Sequence, residues 1–256
     1  MRVLAWFIAT LIALVGGFYA FNSYIYNEKQ GDTIMQNSTV TVHPISHASL
    51  VLTWGDKTIY ADPVGSSSLY AQYPNPSIVL VTHIHADHFS TTTLLEVVGP
   101  NTTLVAPQSV ADQLPETLKK NLIVMKNNDV QTLEGLTIQA IPAYNQRPEA
   151  LKYHPQGRDN GYVLEGGDTR VYIAGDTEGT PEMRALEGID IAFVPMNLPY
   201  TMSVEDAATA VLAFKPASVY PYHYDGQNGQ SDINRFKELV NAGNPAIEVE
   251  LKNWYP

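Results

Sequence analysis

Residues 78–90 read Ile-Val-Leu-Val-Thr-His-Ile-His-Ala-Asp-His-Phe-Ser, and no other stretch restricts the fold as strongly. The apolar run Ile78 to Val81 has the length and β-branched content of a buried strand. It ends abruptly in His83, His85, Asp87 and His88. Four side chains that bind metals at neutral pH, within six residues, have no role in a hydrophobic core. In an extended chain, residues two apart point to the same side, so His83, His85 and Asp87 can converge before a turn brings His88 alongside. Imidazole suits zinc, and carboxylate accepts zinc, iron or manganese. The stretch therefore predicts a metal site at the end of a buried strand.

The chain contains no cysteine, so any metal must rest on histidine and carboxylate. Its 256 residues suffice for one sizeable core. The net charge of −11 repels phosphate backbones and argues against nucleic acid as a partner. A small anionic substrate is compatible with it, because bound cations reverse the sign locally.

From Val3 to Phe21 the chain is apolar and uncharged, preceded by Arg2. This is close to the roughly 20 residues that span a bilayer. Residues 1–26 therefore read as a transmembrane anchor, with Tyr19, Tyr24 and Tyr26 suited to the interface. The N-terminus would be cytoplasmic and the main domain extracytoplasmic. The rival reading is a cleaved signal peptide and a secreted protein, although cleavage after Ala20 would put Phe18 where a small residue is needed. Residues 27–38 are polar and aperiodic, a short stalk, and residues 39–256 form the main domain.

That domain opens with strands at Thr39 to Ile45, Ser49 to Trp54 and Lys57 to Ala61, the last two joined through Gly55-Asp56. The strand Ile78 to Thr82 delivers the histidines. A helix is predicted over Thr91 to Val98, with Thr93 and Glu96 in capping-box spacing. Strands follow at Thr103 to Ala106 and Leu122 to Met125, with a helical turn between. A second meander covers Asp129 to Leu133, Leu136 to Ala143, Gly161 to Glu165 and Arg170 to Ala174, ending in Gly175-Asp176-Thr177. Ile189 to Pro195 and Ser218 to Pro221 are further strands, and Val204 to Phe214 and Ile233 to Val240 helices. A strand at Ile247 to Leu251 closes the chain. A meander followed by strand, polar loop and helix thus occurs twice, as expected of two sheets face to face with helices outside.

The order His83-x-His85-x-Asp87-His88, then Gly175-Asp176-Thr177, then a late His223 resembles the metallo-β-lactamase superfamily of dinuclear metal hydrolases, over roughly residues 39–256. The Asp62-Pro63, Ala143-Tyr144-Asn145 and Pro221-Tyr222-His223 turns are most similar to the branch that includes L-ascorbate-6-phosphate lactonase and N-acyl-phosphatidylethanolamine phospholipase D. The resemblance implies an α+β fold, a four-layer αβ/βα sandwich, here preceded by the N-terminal transmembrane helix. It places His83 and His85 on a first divalent ion, Asp87 and His88 on a second, Asp176 between them and His223 on the second. Asp176 and His223 both follow apolar strands, as the first cluster does.

The family's further histidine for the first metal normally follows the second meander, near Tyr144-Asn145, where this chain has none. His154 is the only histidine between the two motifs. It either swings in from its loop or is a solvated loop residue, in which case Asn145 or water completes the first site. Asp62 would hold the histidine loop by hydrogen bonds, as the family's first acidic motif does; the plain alternative is a turn aspartate before proline. His47 belongs either at the pocket rim or in strand-end packing, and His43 is read as a strand residue. Tyr144, Tyr153 and Tyr200 are candidates for the pocket wall.

The implied activity is metal-dependent hydrolysis of an ester, lactone or phosphodiester in a small-molecule or lipid-like substrate. Two divalent ions, Zn2+ foremost and Mn2+ or Fe2+ as alternatives, roughly 3.5–4 Å apart, would share a hydroxide oriented by Asp87 and Asp176. His47, His154 or a tyrosine would protonate the leaving group. Two other classes differ. A membrane-tethered metal-binding or interaction module without turnover would hold one ion. A metal-dependent nuclease would need a clamping insertion and a basic surface, and the chain has neither.

Overall fold

The computed structural model describes residues 39–255. The antiparallel strands β1 (Val40–Ser46), β2 (Ser49–Trp54) and β3 (Lys57–Ala61) form a meander. β2 and β3 turn through Gly55 and Asp56, with Gly55 at φ +61°, the left-handed backbone that glycine adopts without a Cβ penalty. β4 (Ile78–Leu80) then joins β3 in parallel. All three residues of β4 are buried, and their alternation serves two cores. Ile78 and Leu80 belong to the large core that the second sheet completes, whereas Val79 and Val81 pack with Leu94 and Val110 on the other face. A strand covered on both sides needs no polar alternation, which explains the unbroken apolar run.

Helix α1 (Thr91–Val97) follows the histidine loop. Its cap differs from the expected one: Ser90 is the N-cap, its Oγ accepting the Thr93 amide at 3.2 Å. Thr93 is itself buried, and its hydroxyl donates to the Gly65 carbonyl at 2.6 Å, so it is committed elsewhere. β5 (Thr103–Ala106), the short α2 (Gln108–Ala111) and β6 (Leu122–Val124) complete a six-stranded sheet in the order β1-β2-β3-β4-β5-β6.

The second sheet repeats the plan. β7 (Val130–Leu133), β8 (Leu136–Ala143), β9 (Asp159–Gly166) and β10 (Thr169–Ile173) are antiparallel neighbours. The one-turn α3 (Pro181–Arg184) comes next, then β11 (Ile191–Pro195), α4 (Val204–Phe214) and β12 (Ser218–Tyr222). A small hairpin, β13 (Asp225–Gly226) and β14 (Gly229–Gln230), precedes α5 (Ile233–Gly243) and β15 (Glu248–Val249). β10, β11, β12 and β15 are parallel, and the seven-stranded order is β15-β12-β11-β10-β9-β8-β7. α3 and the small hairpin have no counterpart in the expectations from sequence. α5 runs three residues further than expected and the last strand is shorter.

The sheets are tied together beside the histidine loop. The Tyr162 hydroxyl donates to the Val81 carbonyl at 2.9 Å, and the Asn160 amide to the Thr82 carbonyl at 3.1 Å. Ala207, Ala210, Val211 and Phe214 of α4 and Phe236 and Val240 of α5 extend the same large core. The layers are therefore helix, sheet, sheet, helix. Among the described residues no helix is long and apolar enough to cross a membrane. The apolar segment Val3 to Phe21 and the stalk 27–38 lie outside them.

Candidate metal centre

Except for His154, which comes from the loop between β8 and β9, the donors follow the ends of strands, where the ladder stops and side chains are released to one edge. β4 leads to Thr82 and the histidine loop, β10 to Gly175-Asp176, and β12 to His223. Gly175 has φ +64°, and a Cβ on it would lie 3.0 Å from the Thr82 Cβ, so only glycine lets the two strand ends meet here. His223, at φ +46°, adopts the same left-handed backbone with a side chain, a strain of about 1–3 kcal/mol. Two amide bonds over-determine this corner: His223 N–H donates to the His47 carbonyl at 3.1 Å, and His47 N–H to the Trp254 carbonyl at 3.2 Å.

Asp62 organises the first loop. Its carboxylate accepts the Thr82 amide at 2.7 Å and the Thr82 hydroxyl at 2.6 Å, and lies 2.7 Å from His88 Nδ1. The Thr82 hydroxyl, having donated to Asp62, is left as an acceptor for His83 Nδ1 at 2.9 Å. Both imidazoles thereby have Nδ1 engaged and Nε2 free to coordinate. His83 Nε2 lies 3.1 Å from His85 Nδ1, two ring nitrogens aimed at one point.

The donor atoms fall into three overlapping groups, each within 4.8 Å: His83, His85 and His154; His83, His88 and Asp176; Asp87, His88 and His223. Asp176 touches both ends. Its Oδ2 is 3.4 Å from His154 Nε2, and its Oδ1 is 3.3 Å from His88 Nε2 and 3.5 Å from His223 Nε2. Asp87 Oδ2 lies 3.3 Å from His223 Nε2. His154 is buried beside His83 and His85, not solvated in its loop.

Burial is the largest influence on His83 and holds its pKa well below the ordinary histidine value, with His88 adding to the effect. It is thus neutral, as a ligand must be. Burial also pushes His88 down, but Asp176 and Asp62 on either side more than offset it and hold the pKa well above the ordinary value. For Asp176 burial alone would raise the pKa, yet His223, His88 and His154 hold it well below the usual carboxylate range. His88 Nε2 and Asp176 Oδ1 are buried without a hydrogen-bond partner. Such a pair, each atom costing about 1–3 kcal/mol if unsatisfied, is what a divalent cation would satisfy. The residues present fit such an ion.

A cleft of about 280 Å3 opens onto these groups, lined by His85, Asp87, Tyr153, His154, Asp176, Asn197 and Tyr200. The rings of Tyr153 and Tyr200 meet edge to face at 5.1 Å. One expectation for the wall is corrected. The Tyr144 hydroxyl turns away to Glu182 at 3.0 Å, while its backbone holds the Thr177 hydroxyl. Asn145 spends its amide on the Ala150 and Tyr200 carbonyls at 3.0 and 2.7 Å, so it shapes the loops without facing the cleft. The His47 ring is not among the cleft-lining groups; it packs on Tyr255 and His223 at 4.8 and 5.7 Å. His43 stays on β1, with its Nε2 3.3 Å from the Thr53 hydroxyl. Asn197 was missed, although it follows β11 in the same strand-end position as Asp176 and His223. Asp159 was missed too; its signal was a charged Arg158-Asp159 pair opening an otherwise buried strand.

The chain belongs to the metallo-β-lactamase superfamily: the family model described as "Beta-lactamase superfamily domain" matches residues 41–223. More particularly, it is 32% identical over 224 residues to a UPF0173 metal-dependent hydrolase of Pyrococcus horikoshii, covering 83% of this chain and 96% of that protein. A crystal structure from Parabacteroides distasonis, assigned as a metal-dependent hydrolase, is 41% identical with a TM-score of 0.74, over 83% of this chain and 92% of the other. Igni18, a metallo hydrolase of Ignicoccus hospitalis, shares the fold at TM-score 0.70 and 21% identity, over 85% of this chain and 96% of that one.

Proposed function

We propose that the chain is a dinuclear metal-dependent hydrolase of esters or lactones. The observation that carries the reading is the division of Asp176, one carboxylate oxygen facing His154 and the other facing His88 and His223. In this reading His83, His85 and His154 hold one ion, Asp87, His88 and His223 hold the other, and Asp176 is shared. Donor sets rich in imidazole suit Zn2+, with Mn2+ or Fe2+ as alternatives. Bound ions would acidify a water and polarise the scissile carbonyl or phosphoryl group.

The protein's own groups do the rest. Asp87 and Asp176 accept hydrogen bonds from the attacking water and orient it. Asp62 keeps His88 in one tautomer. Tyr153 and Tyr200 are the tyrosines lining the cleft, and in this reading Tyr200 protonates the leaving oxygen and regains a proton from solvent; both nitrogens of His154 are already engaged. No lysine or arginine is among the lining residues. A phosphodiester would have only the bound ions to offset its charge, whereas a neutral carbonyl brings no charge to offset, and on that ground esters and lactones rank ahead.

Elemental analysis of the purified protein, followed by a panel of esters, lactones and phosphodiesters on the same sample, tests this. Two ions per chain with ester or lactone turnover is the expected result; one tightly held ion and no turnover would favour the binding-module reading. We also propose that Val3 to Phe21 anchors the chain, on the strength of its uncharged length. Release of the full chain from membranes by alkaline carbonate would defeat that.

A further inference from the structure

His88 and His154 are held by the same device at unequal strength. His88 gives Nδ1 to Asp62 at 2.7 Å and turns Nε2 to Asp176 Oδ1; His154 gives Nδ1 to Asp159 at 3.4 Å and turns Nε2 to Asp176 Oδ2. Asp159 is as buried as Asp62, but its charge is already taken. Arg158 grips it in a two-pronged pair, Nε to Oδ1 at 2.7 Å and a terminal nitrogen to Oδ2 at 2.8 Å. The same terminal nitrogen donates to the Tyr153 carbonyl at 2.7 Å, binding the loop that carries His154 back onto β9. The Asp159 carbonyl is fixed in turn by the Asn127 side chain at 2.8 Å.

Resting on the dinuclear reading, we propose that Asp159, clamped by Arg158, is the positioning residue that presents His154 to the first ion. By the same construction the His83–His85–His154 position holds its ion less tightly than the Asp87–His88–His223 position. Three features point the same way. The Asp159 carboxylate is partly neutralised by the guanidinium and strengthens its imidazole less than Asp62 does. His154 Nδ1 has one long contact, 3.4 Å to Asp159, whereas His88 Nδ1 lies 2.7 Å from Asp62 with the Thr82 hydroxyl 3.5 Å away. The second position also has an anionic ligand of its own, Asp87, where the first has only neutral imidazoles besides the shared Asp176. Carboxylates behind ligating histidines govern affinity by about 10–100-fold.

The test is titration of the metal-stripped protein with zinc in a metal buffer, reading ions bound per chain. Wild type should fill in two resolved steps. Asp159→Asn should weaken the weaker step by about 10–100-fold and leave the tighter step in place, with a melting curve in chelator recording separately what the broken Arg158 pair costs the fold. Arg158→Lys keeps the positive charge but loses the fork and with it the tie to the Tyr153 carbonyl, and should weaken the same step by a smaller factor; it decides the matter if the Asp159 variant does not fold. A single unresolved step in wild type, a shift in the tighter step, or no shift in either variant would overturn the proposal. Failure of wild type to bind zinc at all would instead defeat the dinuclear reading beneath it.

Discussion

Asp176 offers one oxygen to each donor group, and at this position the difference between a carboxylate and an amide is decisive. Asp176→Asn keeps the shape but removes the charge that His88, His223 and His154 converge on. We expect it to bind fewer than two ions and to lose at least about 100-fold in activity, more than the 10–100-fold typical of outer partners; elemental analysis and turnover on one sample check this. Asp87→Ala and His85→Ala should abolish turnover with the circular-dichroism spectrum unchanged, because both side chains line the cleft. Full activity in both would remove the metal from the mechanism. Tyr200→Phe should lower kcat by about 10²-fold or more for substrates with a poor leaving group and much less for an activated ester; equal losses on both would rule out proton donation.

At the scale of elements, the cleft depends on three loops being held to one another. Arg147 Nε pairs with the buried Glu178 at 2.5 Å, and a terminal nitrogen reaches the Pro199 and Thr201 carbonyls at 3.1 and 2.8 Å. Glu178 also accepts the Gln146 and Arg147 amides. The loop bearing Tyr153 and His154, the loop after Asp176 and the loop bearing Asn197 and Tyr200 are thus joined through one ion pair. Arg147→Ala would leave the Glu178 charge buried without its partner, a loss of about 2–3 kcal/mol, at or below the low end for buried pairs because Arg147 is partly exposed. We expect a lower melting temperature, and a rise in KM as Tyr200 loses its support; an unchanged KM would separate the clasp from the cleft. Gly161 in β9 is a second such point. A Cβ there would sit 2.6 Å from the Ala174 carbonyl, backbone that cannot yield, so Gly161→Ala should cost about 1–3 kcal/mol and weaken metal binding by displacing the turn into Asp176.

Over the whole molecule, both cores carry buried phenols. Burial, the largest cause in each, raises the pKa of Tyr162, Tyr172 and Tyr222 far above the ordinary value, and that of Tyr70 to about 12. A group raised in the folded state contributes stability that is complete below its unfolded value, about 10 for tyrosine, and lost as pH climbs through the folded value. The metal-stripped protein should therefore hold its fold to about pH 10 and then lose stability steeply, with tyrosinate absorbance appearing cooperatively with unfolding. Gradual ionisation before unfolding would contradict this. The sequence alone was enough to locate the strands of the two large sheets, because their period and apolar runs are local properties, and to expose the His83–His88 cluster, whose ligands lie within six residues. The N-cap of α1 lay beyond it, since Thr93 spends its hydroxyl on Gly65, a residue far away in sequence. Whether His154 reaches His83 across a long intervening stretch, whether Tyr144 faces the cleft, and which carboxylate stands behind which imidazole were likewise decided only in the tertiary structure. Those outcomes depend on the direction in which a loop side chain leaves its backbone, and that direction is set by packing between segments remote in sequence, such as Arg158 on Tyr153 and Asn145 on Tyr200.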